Sequence, residues 1–290
     1  MTLGVASLCL ACDQADSPVG IAPPPNDFVI DLRYLSSVSE TQRAVITAAV
    51  DQWSRALSKD RGSFRFDTRA GECFTGAPRL NEEHNNPVVF LSVANVDRVG
   101  GLLAYTQVCE VSPRDTLPVL SHIRIDLHDL ALLENAGTLR GVVTHELGHA
   151  LGFVPVTYLA KKLAAGGTVD PHIKGSAARA QFHERGAWYM GLTVPLEDAS
   201  GDGPNNPHWR FMVFGDEVMS SSIITGYRSP LSVITLGLFQ DLGYDVDFSV
   251  ADSYVVTPIL GDTRVLPEFN LGNDLRAAGS PSDVTPLPAR

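Results

Sequence analysis

The chain has 290 residues, 44% hydrophobic and 19% charged, with 33 Asp and Glu against 22 Lys and Arg and a net charge of -11. That apolar content over that length supports a substantial core, in one large domain or two small ones, and excludes a mainly disordered chain. The acidic balance lacks the basic field that nucleic acid or anionic lipid requires, so neither is expected as a partner.

No apolar run reaches the roughly 18–20 residues that cross a bilayer. The first run, residues 3–11, has the length of a signal-peptide core. Leu8-Cys9-Leu10-Ala11-Cys12, followed by a polar, Pro-rich stretch, resembles a bacterial lipoprotein signal in which Cys12 would carry the lipid. Residues 1–26 are therefore expected to be signal and linker, and the protein to be extracytoplasmic, either secreted or anchored to the cell envelope. Membrane contact is expected only through that anchor. Cys73 and Cys109 remain, and an oxidising compartment would let them form one disulfide.

Residues 27–35 alternate and are rich in β-formers, the pattern of a strand. Ser39 with Gln42 is a capping-box signature, and Val45, Ile46, Ala49, Trp53 and Leu57 recur at helical spacing, with Gly62 as the stop. Four more strands are expected at 63–69, 87–95, 102–111 and 120–127, separated by Gly, Pro and Asn, before a second helix at 138–153. After Pro155 the pattern loosens. Stretches 164–167 and 201–207 read as loops, 230–242 as a helix ended by Gly243, and the tail after Gly279 as disordered. The expected fold class is α+β. A twisted mixed sheet with two long helices would occupy 27–154, a looser C-terminal subdomain 155–278, and a tail 279–290.

The chemistry concentrates in Thr144-His-Glu-Leu-Gly-His-Ala-Leu-Gly-Phe153. On a helix, His145 and His149 project from one face, so both imidazoles can reach one metal ion. Val142, Val143, Leu147, Ala150 and Leu151 supply apolar surface that buries the helix and sets the histidines in a cleft. Zinc suits imidazole nitrogen in tetrahedral geometry and brings the pKa of a bound water to around 7. Glu146, beside the first ligand, would then take a proton from that water and return it to the leaving amine. Chance predicts only roughly 0.01 H-E-x-x-H matches in a chain of this composition. A third ligand is required, and His172, His183 and His208 lie downstream. Glu184 or Glu217 would serve instead if the third ligand were a carboxylate.

Gly152 fits the glycine of the metzincin pattern H-E-x-x-H-x-x-G-x-x-H, whereas the third histidine position holds Pro155. The chain resembles the leishmanolysin family, a metzincin branch with a long insertion before that histidine. The resemblance rests on His145 to Phe153, on Asn206-Pro-His-Trp-Arg210, on Asp216-Glu-Val-Met-Ser220, and on Ser229-Pro-Leu-Ser-Val-Ile-Thr-Leu-Gly-Leu-Phe-Gln-Asp-Leu-Gly-Tyr244. It covers most of 27–256. It implies a zinc endopeptidase acting on extended protein or peptide substrates, with one catalytic zinc held by His145, His149 and His208. Glu146 would be the base, Met219 the Met-turn methionine beneath the metal, and Gly152 the turn after the helix. Substrate would pair as an extra strand along 102–108. Better-known members carry a shielding pro-segment. Only 14 residues separate Cys12 from Asp27, so either latency is absent or Cys9 or Cys12 reaches the metal.

A reading from a different class keeps the zinc in a catalytically inactive cell-surface binding module. The other histidines have ordinary roles in prospect: His84 in a polar loop, His122 and His128 flanking a strand at the surface or near the site. Residues 197–202 lack the alternating oxygens of an EF-hand loop. Trp188, Tyr189 and Trp209 read as core or cleft wall, and a monomer is expected.

Overall fold

In a computed structural model of the chain, residues 28–187, 191, 193–224 and 228–258 are described, together with the backbone of 268–270 and 285–286. Cys9, Cys12, Trp188 and Tyr189 lie outside the described residues.

Strand β1 (Asp31–Tyr34) leads to helix α1 (Glu40–Ala56). The capping box forms: Gln42 N donates to Ser39 Oγ at 3.1 Å, and Ser39 N donates to Gln42 Oε1 at 2.9 Å. The helix ends at Ala56, ahead of Gly62, because β2 (Leu57–Ser58) leaves it to pair with β12 (Asp245–Val246). Tertiary pairing here overrides the local stop signal. β3 (Phe64–Thr68) and β4 (Leu80–His84) form an antiparallel pair of their own, apart from the main sheet. β4 reads Leu-Asn-Glu-Glu-His and has no apolar alternation to announce it. His84 therefore sits in a strand, beside Asp31 and Arg33, and not in a loop.

The main sheet contains β5 (Val88–Ala94), β6 (Ala104–Val111) and β7 (Pro118–Asp126). Its order is β1-β5-β7-β6-β14, with β14 being Thr285–Pro286. β1, β5 and β7 run parallel, β6 runs antiparallel to β7, and β14 lies parallel to the Glu110–Val111 end of β6. β5 starts with five consecutive buried residues, Val88 to Ser92, as expected of a parallel strand covered on both faces. The fold is thus a mixed α/β arrangement around a mixed sheet.

α2 (Leu127–Asn135) starts where β7 ends, and the Asp126 carboxylate accepts from His128 N at 2.9 Å as its N-cap. α3 (Leu139–Leu151) buries every residue except Arg140 and Gly141, because α1 packs on one side and β6 and β7 on the other. Trp53 locks α1 to α3: its indole N–H donates to Thr144 O at 2.9 Å, and its ring centroid lies 4.7 Å from that of Phe239.

Beyond α3 the elements shorten to α4 (Pro155–Ala160), β8 (Ala164–Ala165), β9 (His172–Ile173), α5 (Ser176–Phe182) and β10 (Val194–Pro195). β8, β9 and β10 form a small sheet, where a loop was expected at 164–167. α6 (Phe211–Phe214), β11 (Ser222–Ile224) and α7 (Val233–Asp241) follow, and β11 pairs with β13 (Glu268–Asn270). One apolar core includes Trp53, Leu147, Trp209, Met219 and Phe239, so it draws on both sides of residue 154.

A second, smaller cluster lies under the β3–β4 pair and includes Phe66, Phe74, Phe90 and Leu120. The Cys73–Cys109 disulfide joins its loop to β6. His122 belongs to this cluster and neither to the surface nor to the metal site. It is fully buried within β7, its Nε2 lies 2.7 Å from Ser92 Oγ, and its ring stacks on Phe74 with centroids 3.6 Å apart. Burial, assisted by the Arg124 charge, pushes the His122 imidazole down to about 3. Below the ordinary histidine value of about 6.5 the unfolded chain binds a proton there that the native chain refuses until about 3. Stability is therefore expected to fall as pH drops through that window. Urea unfolding between about pH 7 and pH 4 should show a shallower acid loss in His122→Gln than in the wild type; equal slopes would contradict it.

Candidate metal centre

α3 presents His145 and His149 one turn apart on its buried face, and Gly152 ends the helix at φ 137°, a conformation that favours glycine. The turn brings Phe153 O back to within 2.9 Å of His149 Nδ1. The third imidazole, His208, arrives from downstream. Its segment is clamped on both sides: Glu197 N donates to His208 O at 2.9 Å, and Trp209 N donates to Met219 O at 2.9 Å. Trp209 bridges Leu196 on one side and Ser220 on the other, while its indole N–H donates to Thr235 Oγ1 at 2.8 Å.

Ring-nitrogen atoms from His145, His149 and His208 all lie within 4.8 Å of one another, and the three residues are buried. Each Nδ1 faces an oxygen: Val218 O at 2.6 Å from His145, Phe153 O at 2.9 Å from His149, and Asn206 Oδ1 at 2.7 Å from His208. An Nδ1 that donates leaves Nε2 unprotonated in a neutral imidazole. Burial, with the neighbouring imidazoles adding to it at His145 and His208, holds both of these well below the ordinary range; burial brings His149 to about 4. The group is therefore neutral at pH 7, with lone pairs converging.

His145 Nε2 and His149 Nε2 are 3.0 Å apart. Two lone pairs at that distance repel unless a cation lies between them. Two nitrogens on one tetrahedral zinc, at Zn–N about 2.0–2.1 Å, are about 3.3 Å apart, so the donor set fits zinc in type, protonation state and spacing. Oxygen-seeking cations such as calcium or magnesium do not suit three imidazoles.

Glu146 is fully buried beside this group. Its Oε2 lies 2.6 Å from Thr106 Oγ1 on β6, and the same hydroxyl lies 2.9 Å from Glu146 O. Glu146 Oε1 is buried with no hydrogen-bond partner among the described residues. Burial pushes the carboxyl up to about 8, and the Thr106 hydroxyl pulls it back. A cation at the histidines would lower it further.

Met219 packs its sulfur against Gly148, the residue between the two helix histidines' turns, where a Cβ would overlap Sδ. Glu217 shapes this turn and is not part of the histidine cluster. Its carboxylate accepts from Met219 N at 2.6 Å, Ser232 Oγ at 2.7 Å and Thr235 Oγ1 at 2.6 Å. His172 and His183 are engaged elsewhere, with Asp170 O and Gly191 O, and Glu184 is exposed. Thr106, Glu197 and Glu217 as positioning groups were not foreseen. Thr106 is announced by no local pattern, because β6 meets α3 only in the folded chain. Asn206 did carry a signal, standing two residues before His208.

The mixed α/β domain thus sets three buried imidazoles, a donor group able to hold a metal ion, beside a buried carboxylate. The model of the leishmanolysin family, peptidase M8, matches residues 82–261, and the chain belongs to that family. Leishmanolysin of Leishmania major is 31% identical over 181 residues, which cover 60% of this chain and 29% of that protein. For Leishmania donovani leishmanolysin the identity is 33% over 176 residues, 58% of this chain and 29% of the relative. The leishmanolysin homolog of Crithidia fasciculata is 30% identical over 184 residues, 59% and 27%. The matched region thus spans less than a third of the length of these relatives. The family is one of zinc-dependent peptidases.

Replacing a helix-interior Gly by Ala ordinarily gains about 1 kcal/mol. Gly148→Ala is expected instead to lose about 1–3 kcal/mol in urea unfolding, because the new methyl overlaps the buried Met219 sulfur. Adding Met219→Ala should recover part of that loss. Strictly additive losses would mean that the two side chains do not meet.

Proposed function

We propose that this chain is a zinc-dependent endopeptidase of metzincin type that hydrolyses peptide bonds of extended protein segments. The observation that carries this reading is the convergence of three buried, neutral imidazoles beside a carboxylate with one oxygen unengaged. His145, His149 and His208 would hold one zinc ion. When bound, zinc supplies Lewis-acid polarisation of the scissile carbonyl and brings the pKa of water near 7.

Glu146 Oε1 accepts the proton of the attacking water and returns it to the leaving amine. Thr106 keeps Glu146 Oε2 engaged, so the carboxylate presents its other oxygen to the reaction. The same β6 strand offers its edge to substrate. β7 covers one side of it, and among the described residues no strand pairs with Ala104–Val108 on the other, where main-chain hydrogen bonds to an extended peptide would form. Thr106 thus couples the strand that binds substrate to the base. Met219 and Gly152 have packing and turn roles and are not ligands. Residues 27–154 would form the catalytic subdomain with the helix histidines, and 155–278 the subdomain that brings His208 and the Met-turn. The protein would act outside the cytoplasm as a monomer, secreted or anchored through Cys12. Among the described residues no helix is long and apolar enough to cross a membrane.

Hydrolysis of a quenched, unfolded protein substrate is expected to fall by about 10²- to 10⁴-fold in Glu146→Ala while zinc content stays at one equivalent. Wild-type turnover in that variant would overturn the role of Glu146. His208→Ala should lose both zinc and activity, measured by metal analysis after dialysis. Full zinc retention would remove His208 from the ligand set.

A further inference from the structure

A second group of side chains able to hold a metal ion lies at the C-terminal end of β7, where Asp97, Asp126 and Asp129 each bring a carboxylate oxygen within 4.8 Å of the others. Asp97 belongs to the loop between β5 and β6, Asp126 is the N-cap of α2, and Asp129 lies in its first turn. Asp126 and Asp129 are both 0% exposed, whereas Asp97 faces solvent.

Backbone amides satisfy part of the group. Val96 N donates to Asp126 Oδ1 at 2.7 Å, His128 N to Asp126 Oδ2 at 2.9 Å, Gly100 N to Asp129 Oδ1 at 2.8 Å, and Leu102 N to Asp97 Oδ2 at 3.0 Å. Asp129 Oδ2 is left buried with no hydrogen-bond partner among the described residues. None of the three carboxylates has an ion pair with a basic side chain among the described residues. The N-terminus of α2 offers roughly half a positive charge against three formal negative ones. Burying an unpaired carboxylate oxygen is costly, and a bound cation removes the cost. At Gly101 a Cβ would overlap the Asp97 carboxylate, so the loop keeps room for it to face the other two.

We propose that Asp97, Asp126 and Asp129 form a calcium site that clamps the 95–103 loop to the end of β7 and the start of α2. The donors are all carboxylate oxygens, which suit a hard cation, and zinc would prefer the imidazoles of the other site. Calcium accepts six to eight oxygens in irregular arrangement, so water entering from the exposed Asp97 side can complete its shell. Magnesium demands near-octahedral geometry, which carboxylates already held by fixed backbone amides do not readily adopt. The clamp lies at the entry to β6: Asp126 N donates to Leu103 O at 2.8 Å, immediately before the strand that carries Thr106. The site does not depend on peptidase activity, and neither does its test.

The full chain would be freed of metals on a chelating resin and given back one equivalent of zinc. Its thermal unfolding would then be followed with calcium chloride, with magnesium chloride or without either, and calcium binding measured by calorimetry. At calcium about 100-fold above its Kd, Tm is expected to rise by about 5–10 °C. Asp129→Asn should lose that rise and bind calcium at least tenfold more weakly. If this buried substitution prevents folding, Asp97→Asn, at an exposed position, should give the same loss. The site is refuted by a wild-type Tm that ignores calcium, by equal rises in wild type and Asp97→Asn, or by an equal rise with magnesium.

Discussion

Three imidazoles occupy one small buried volume because each has its Nδ1 held by an oxygen from a different piece of chain. Val218 O comes from the turn before Met219, Phe153 O from the turn after Gly152, and Asn206 Oδ1 from the segment that carries His208. Without those three acceptors the rings could exchange tautomer and rotate, and the lone pairs would not converge. Much of the rest of the fold serves to bring the three oxygens to their positions. α3 is buried on almost every side, so His145 and His149 cannot swing to solvent. Trp53 fixes the backbone of α3 from behind, at Thr144 O, one residue before the first histidine.

The C-terminal half works through two buried carboxylates. Glu197 Oε1 accepts from Asp198 N and Ala199 N, and Oε2 from Phe211 N and Ser221 Oγ, so it ties the approach to His208 to the exit from it. Glu217 ties the turn at Met219 to the first turn of α7. Burial pushes the Glu217 carboxyl up to about 7, and its several hydrogen bonds hold that rise down. These groups replace regular secondary structure where the elements are too short to organise themselves. Polar satisfaction, and not sheet or helix propagation, defines the backbone around the third histidine.

That difference explains what was legible in the sequence. α1, β5, β7 and α3 carry strong periodicity or long apolar runs, and each was recognisable within a few residues of its bounds. The helix histidines and Glu146 declared themselves because their spacing is a helical repeat. His208 could not be chosen over His172 and His183 from spacing alone, since the chain between the second and third imidazoles has no fixed period. Only the likeness of its surroundings to the leishmanolysin pattern singled it out. β4 was invisible because polar residues fill it, and His122 misled because its neighbours in sequence do not reveal Phe74, which stacks on it. The aspartates at the start of α2 gave no warning either, for Asp97 lies about thirty residues away in sequence from its partners.

The clamps on either side of His208 have an evolutionary corollary. Leu196, Trp209 and Ser220 are joined by backbone bridges, and Glu197 N and Met219 O bind the residues between them. The histidine's position is thereby set by a short local frame, which the preceding segment reaches at a few backbone points: Leu196 N donates to Pro171 O at 2.9 Å and Arg210 N to Pro195 O at 3.2 Å. Between those points the length of the chain does not enter the placing of the imidazole. Insertions and deletions between those points can alter the surface beside the three imidazoles while the frame that holds His208 stays as it is.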